Sequence, residues 1–207
     1  MSLLAGQRVV VLDVETTGWS AENDSIVEVA CVTVDDGAIT DTWTSLVNPG
    51  RPVPAEATRI HGITDAMLAT APAPAAVAGP LREYCGDAML AIHNAGFDLP
   101  FLAALLRRHG AAPLFNSVID TLGLARGLFG QGGNSLAELS RRHAIEHTSA
   151  HRALGDARAT AELLRVLAPR WEAERGTGSL AELAAASQDA IRLTSKRGSR
   201  APAPAGV

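Results

Sequence analysis

Apolar positions in the first quarter of the chain fall in strand-like stretches. RVVVLDVE (8–15) runs four apolar residues together, then places Asp13 and Glu15 where the next buried residues are due. SIVEVACVTVDDGAI (25–39) approximates inside/outside alternation, and TDTWTSLVNP (40–49) follows its DDGA turn signal. A three-stranded antiparallel meander is predicted. After Pro54 the period lengthens. PAEATRIHGIT (54–64) predicts a short helix ending in a Gly-containing turn, and APAPAAVAGPLREYCGD (71–87) a helix with a Pro-punctuated start. AMLAIHN (88–94) and SVID (117–120) predict two more short strands. Between them LPFLAALLRRHG (99–110) predicts a helix, with Pro100 in its first turn, arginines in its last and Gly110 just beyond. Ser135 and Glu138 form a capping-box pattern. RALGDARATAELLRVLAPRWEAE (152–174) is the longest helical pattern, with Leu154, Ala157, Ala161, Leu164 and Leu167 or Ala168 at helical spacing.

Strands first, then strands alternating with helices, predict an α/β domain: a five-stranded mixed sheet, its first three strands antiparallel, flanked by helices. The turn at Gly176-Thr177-Gly178 suggests a division into a domain of residues 1–175 and a segment of residues 176–207. That segment begins with a second capping box, Ser179 with Glu182, and ends in a basic, then Pro/Ala-rich stretch expected to be disordered. SLAEL occurs at both capping boxes, which marks a shared helix start and not a repeat.

Composition adds limits. Hydrophobic residues make up 47% of the 207 residues but aromatics only 4%, so Val, Leu, Ala and Ile must fill the core. Cys31 and Cys85 sit in apolar stretches without metal-ligand spacing and read as small buried hydrophobes in a reducing compartment. The N-terminal apolar run is broken by Asp13 and is too short to span a bilayer, so a cytoplasmic protein without a membrane partner is expected. A net charge of −4 argues at first against a nucleic-acid partner.

The acids change that picture. Asp13 and Glu15 are two apart, so on a strand they point to one face. Side by side and partly buried they repel, and desolvation adds to the cost. A divalent cation relieves both. An isolated D-x-E is more simply two solvated acids beyond a strand end, so the reading needs further acids. HNAGFD supplies Asp98 at a turn-to-helix junction, where an N-cap role competes with a metal role. HRALGDA supplies His151 and Asp156. Five helical residues turn through about 140°, so the two would not share a face of one helix, and His151 is placed on the entering loop.

LDVETTG (12–18), IHGIT (60–64), HNAGFD (93–98) and HRALGDA (151–157), in that order, closely resemble the DEDD exonucleases of the histidine-containing, DnaQ-like branch. Within it the nearest likeness is to the proofreading epsilon subunits of bacterial DNA polymerase III, over roughly residues 6–172. The last motif has His-x4-Asp, and Tyr84, the sole tyrosine, lies far from it. The resemblance implies a ribonuclease H-like fold and two Mg²⁺ or Mn²⁺ ions. It implies that Asp13 bridges both ions, that Glu15 and Asp156 hold the one beside the attacking water, and that Asp98 supports the other. The ions would clamp the attacking and leaving oxygens of a phosphodiester displacement. His151 would take the water's proton, and nucleoside 5′-monophosphates would leave a 3′ end. It also implies that Thr16, Thr17, Ile60, His61, Asn94 and Phe97 line the terminal-nucleotide pocket, with Phe97 and Ile60 against bases.

Four carboxylates balanced by two divalent cations leave the loaded protein near neutral, which answers the objection from net charge. The 18 basic residues are all arginine except Lys196. Arg59, Arg126, Arg152 and Arg158 read as surface residues, with phosphate contact as the sharper alternative. His109 and His143 follow arginine pairs at helix ends, His93 stands beside a strand end, and His147 lacks an acid at useful spacing. Asp120 reads as a helix cap, and Asp35, Asp36 and Asp65 as turn or cap residues. The expected function is a metal-dependent 3′-5′ exonuclease on single-stranded or frayed DNA ends, in proofreading or repair. The alternatives are RNA trimming, as by an oligoribonuclease or ribonuclease T-like enzyme, and a non-catalytic binding module. A DNA polymerase subunit is a partner the resemblance suggests. QDAIRL (188–193) loosely resembles a sliding-clamp docking motif, set against a plain amphipathic helix end.

Overall fold

The computed structural model describes residues 2–147 and 149–198, with side chains as far as residue 191. β1 (Arg8–Thr16), β2 (Ile26–Asp35) and β3 (Ala38–Leu46) form the antiparallel meander. β4 (Met89–Ile92) and β5 (Val118–Asp120) continue the sheet in parallel from the other edge of β1, giving the order β3-β2-β1-β4-β5. The expected mixed sheet is present.

Alternation along β1, the central strand, assigns its two faces. Val9 and Val11 join one core with Ala30, Val32 and Ile119. That core is closed by Ala157, Ala161 and Leu164 of α7 (Ala153–Arg175) and by α5 (Thr121–Phe129). Val10, Leu12 and Val14 join the opposite core, beneath α3 (Pro74–Cys85) and α4 (Ala95–Arg108). Each large aliphatic side chain fully buried in these layers is worth about 1.5–3 kcal/mol. Asp13 and Glu15 continue the Val9–Val11 face, so they emerge where α7 begins. The alanines of α7 let its first turns lie close to the sheet.

The remaining helices are α1 (Ala55–His61), α2 (Asp65–Leu68), α6 (Leu136–Arg142) and α8 (Leu180–Gly198). Gly62 ends α1 at φ +71°, as the Gly-containing turn requires. The short α2, capped by Thr64, was not foreseen. Both capping boxes form at their serines: Ser135 Oγ accepts the Glu138 N–H, and Ser179 Oγ that of Glu182.

One expectation is corrected. α4 begins at Ala95, so Asp98 lies within its first turn and is not its N-cap. At the C-terminus, beyond the turn near Gly176, α8 packs back on α5. Leu180, Leu183 and Ala184 of α8 join the core formed by α5 and α7. Helix continues through Lys196 to Gly198, as its proline-free run of helix-forming residues permits. The clamp-like segment 188–193 is therefore helical, with the Leu193 side chain outside the described residues, as are residues 199–207 of the tail. Among the described residues no helix is long and apolar enough to cross a membrane.

Candidate active site

All eleven residues singled out from the sequence line one cavity of about 650 Å³. Asp13, Glu15, Thr16 and Thr17 come from the end of β1, and Ile60 and His61 from the end of α1. Asn94, Phe97 and Asp98 come from the start of α4, and His151 and Asp156 from the approach to α7 and its first turn. A second cavity of about 680 Å³, beneath α4 and the loop after it, is lined by Leu102, Leu106 and Leu114 and brings no acid.

Three carboxylates converge: one oxygen each of Asp13, Glu15 and Asp156 lies within 4.8 Å of the others. Asp98 is not in that trio. It is buried, and its Oδ1 accepts the Val14 N–H at 3.1 Å, which ties α4 to β1. Burial, then the charges of Asp98, Asp156 and Glu15, push the Asp13 carboxyl well above the usual range. Desolvation, then Asp156 and Glu28, push Glu15 up to about 8, with Arg152 opposing. Asp98 rises to about 8, chiefly through burial, against the Val14 N–H that favours its charged form. Neighbouring carboxylates that resist ionisation form a site that a cation would stabilise. The donors are carboxylate oxygens, which fit a hard divalent cation held by Asp13, Glu15 and Asp156, with Asp98 beside them.

His151 stands outside α7 as expected, exposed, at φ +61°. That left-handed conformation costs a non-glycine residue about 1–2 kcal/mol and needs support from its surroundings. Its N–H donates to Asp156 Oδ2 at 3.2 Å. Arg152 then donates through Nε and Nη2 to Glu28, at 3.0 and 2.6 Å, and the Ala153 N–H donates to the same carboxylate at 2.9 Å. Arg152 is thus the partner of a buried acid and not a free surface cation. Arg59 pairs with exposed Glu56.

His147 also departs from expectation. Its Nε2 contacts Asp156 Oδ1 from a loop nine residues earlier, a distance that helix and strand periodicities do not reach. Asp120 caps α5 as expected, accepting the Leu122 and Gly123 N–H groups, but it also accepts those of Asn94 and Ala95 at the head of α4. Burial raises its carboxyl, and these four N–H groups oppose the rise. His93 bridges β4 to later segments, with Nδ1 2.9 Å from Thr121 Oγ1 and Nε2 3.1 Å from Asn134 O. Burial pushes it down to about 4. His61 serves its own turn, Nδ1 accepting the Ile63 N–H at 3.0 Å, while lining the cavity.

Trp19 went unread in the sequence. It is 81% exposed at the cavity mouth, its ring 5.7 Å from that of Phe97 and inclined at 66°. Its one signal is an aromatic residue inside the polar run GWSAEND, directly after the TTG turn. Asp24 holds this loop, accepting from Thr17 Oγ1 and the Ser20 N–H, both at 3.0 Å. A Cβ on Gly18 would lie 2.4 Å from Asp24 Oδ2, so a larger residue there would displace the carboxylate that holds the loop.

Residues 10–164 match the family of exonucleases described as RNase_T. The chain belongs to this exonuclease family. Its fold is accordingly ribonuclease H-like. Among curated relatives it is 43% identical over 163 residues to DNA polymerase III PolC-type of Bacillus cereus, covering 78% of this chain and 11% of that protein. It is 42% identical over 170 residues to a DNA polymerase III subunit epsilon-like protein of Rhodobacter capsulatus, covering 79% of this chain and 24% of that one. The chain therefore spans only a minor part of either. Among solved structures, exonuclease X in complex with 5′ overhanging duplex DNA aligns with a TM-score of 0.67 and 30% identity, over 86% of this chain and 99% of that one.

Proposed function

We propose that this exonuclease-family chain is a metal-dependent 3′-5′ exonuclease that shortens single-stranded or frayed DNA ends, releasing nucleoside 5′-monophosphates. The observation that carries the reading is the meeting of Asp13, Glu15 and Asp156, with Asp98 and His151, in one cavity that also holds Trp19 and Phe97. Asp13, Glu15, Asp98 and Asp156 would hold two divalent cations, Mg²⁺ or Mn²⁺. Bound there, the cations would offset the acids' charge and stabilise the attacking and leaving oxygens of an in-line displacement.

The chain's own residues do the rest. His151, on the exposed approach to α7, takes the proton of the attacking water at a ring nitrogen. Thr16, Thr17, Ile60, His61 and Asn94 surround the terminal nucleotide. Phe97 and Trp19 offer faces to bases, a contact indifferent to sequence because every base has a π-face. That suits an enzyme that removes one nucleotide after another. DNA is favoured over RNA because the relatives named above are a DNA polymerase III of PolC type and a DNA polymerase III subunit epsilon-like protein, and the aligned exonuclease X is bound to DNA. The same relatives favour work beside a polymerase, in proofreading or repair.

A 5′-labelled oligonucleotide incubated with the protein and Mn²⁺ or Mg²⁺ should shorten stepwise from its 3′ end. DNA, RNA and mismatched-end substrates run in parallel should rank single-stranded and mismatched DNA first. Intact substrate under every metal would overturn the proposal, and faster cleavage of RNA would replace it with RNA trimming.

A further inference from the structure

Beneath the acidic cavity, residues from four separate segments touch in series. Ser187 of α8 is fully buried; its Oγ accepts the Asp120 N–H at 3.0 Å and donates to Ala184 O at 2.7 Å. Asp120, the last residue of β5, is 1% exposed. Its Oδ1 accepts from Asn94 N at 3.1 Å and Leu122 N at 2.9 Å, and its Oδ2 from Ala95 N at 2.9 Å. One carboxylate thus satisfies the first N–H groups of two helices. Asn94, at the N-cap position of α4 at φ +70°, makes no capping bond. One turn on, Asp98 faces the acidic cluster.

The helix that supplies Ser187 is held at backbone distance. A Cβ on Gly123 of α5 would lie 2.1 Å from Ser187 O, so α5 and α8 meet without an intervening side chain. α8 lies wholly outside the residues 10–164 that the family shares.

We infer that Asp120 is a positioning residue for Asp98, and that the C-terminal helix completes its seat through Ser187. A cap of α5 alone would account for the bonds from Leu122 and Gly123. It would leave those from Asn94 and Ala95 without a purpose, and these are the ones that set where α4 starts. The inference rests on the metal-ligand reading of Asp98 proposed above. Groups that orient a ligand from behind are worth about 10- to 100-fold in metal affinity or activity.

The test compares the full chain with D120N, S187A, D98N and D120N/D98N. Mn²⁺ binding is read by calorimetry, and kcat and KM on a single-stranded oligonucleotide. D120N should weaken Mn²⁺ binding and lower kcat about tenfold or more, with KM little changed. S187A should do the same more weakly, about two- to fivefold, and carries the test if D120N does not fold. In the D98N background D120N should have no further effect on Mn²⁺ affinity, whereas a merely structural role would add in full. Wild-type Mn²⁺ affinity and kcat in D120N or S187A, or an undiminished D120N effect in D98N, would overturn the inference and leave the nuclease reading standing. A wild-type chain that neither binds Mn²⁺ nor shortens DNA would overturn both.

Discussion

The guanidinium of Arg152 forks onto the carboxylate of Glu28, with Nε at 3.0 Å and Nη2 at 2.6 Å. The two residues come from opposite ends of the domain, and Glu28 pairs across the sheet with Glu15. The fork follows directly on His151, whose backbone is left-handed at φ +61°. Among the described residues, R152A would leave the buried Glu28 carboxylate with the Ala153 N–H as its hydrogen-bond donor. Because Arg152 is itself partly exposed, a loss of about 1–3 kcal/mol in urea unfolding is expected, with kcat falling more than the lost stability explains. R152K, which keeps charge but not the fork, should recover part of both. Unchanged stability and kcat in R152A would count against this role.

The raised acids make a prediction about pH. Glu15 and Asp98 stand near 8 in the folded chain, against about 4 unfolded. Between those values the native state keeps protons that the unfolded chain has released, so metal-free stability should fall as pH rises from about 4 to about 8. In EDTA the Tm should be lower at pH 8 than at pH 5, and Mn²⁺ should raise it more at pH 8. E15Q should be more stable than wild type in EDTA at pH 8 while losing nuclease activity. An E15Q chain no more stable there would refute the assignment.

Trp19 and Phe97 should act on binding more than on chemistry. Base stacking is worth about 1–3 kcal/mol per base, so W19A should raise KM on single-stranded DNA roughly fivefold or more, with kcat within about threefold. Trp171 is buried and Trp43 half-buried, which leaves Trp19 as the exposed tryptophan. Quenching of its fluorescence by an oligonucleotide, absent in W19A, is the direct check. Equal quenching in both would place the bases elsewhere.

Two histidines meet Asp156 and should separate by kinetics. H151A removes the proposed base and should lower kcat about 100-fold or more with little change in metal affinity. H147A removes a contact to a metal ligand and should shift the Mn²⁺ dependence of the rate while leaving most of kcat at saturating metal. The reverse pattern would exchange their roles.

Much of this was legible in the chain itself, for a local reason. A period of two places Val9, Val11, Asp13 and Glu15 on one face of a strand, and a period near four places Ala157, Ala161 and Leu164 on one face of a helix. Such periods, with the four motifs in order, sufficed for the sheet, the acids and the loop position of His151. They say which face a side chain occupies but not what faces it. The Glu28–Arg152 fork, the His147–Asp156 contact, the reach of Asp120 to α4 and the seating of α8 at Gly123 all join residues that no periodicity links. Each exists because buried charges and helix-end N–H groups must find partners once packing has brought distant segments together. That requirement is met only in three dimensions, so the tertiary structure alone decided it.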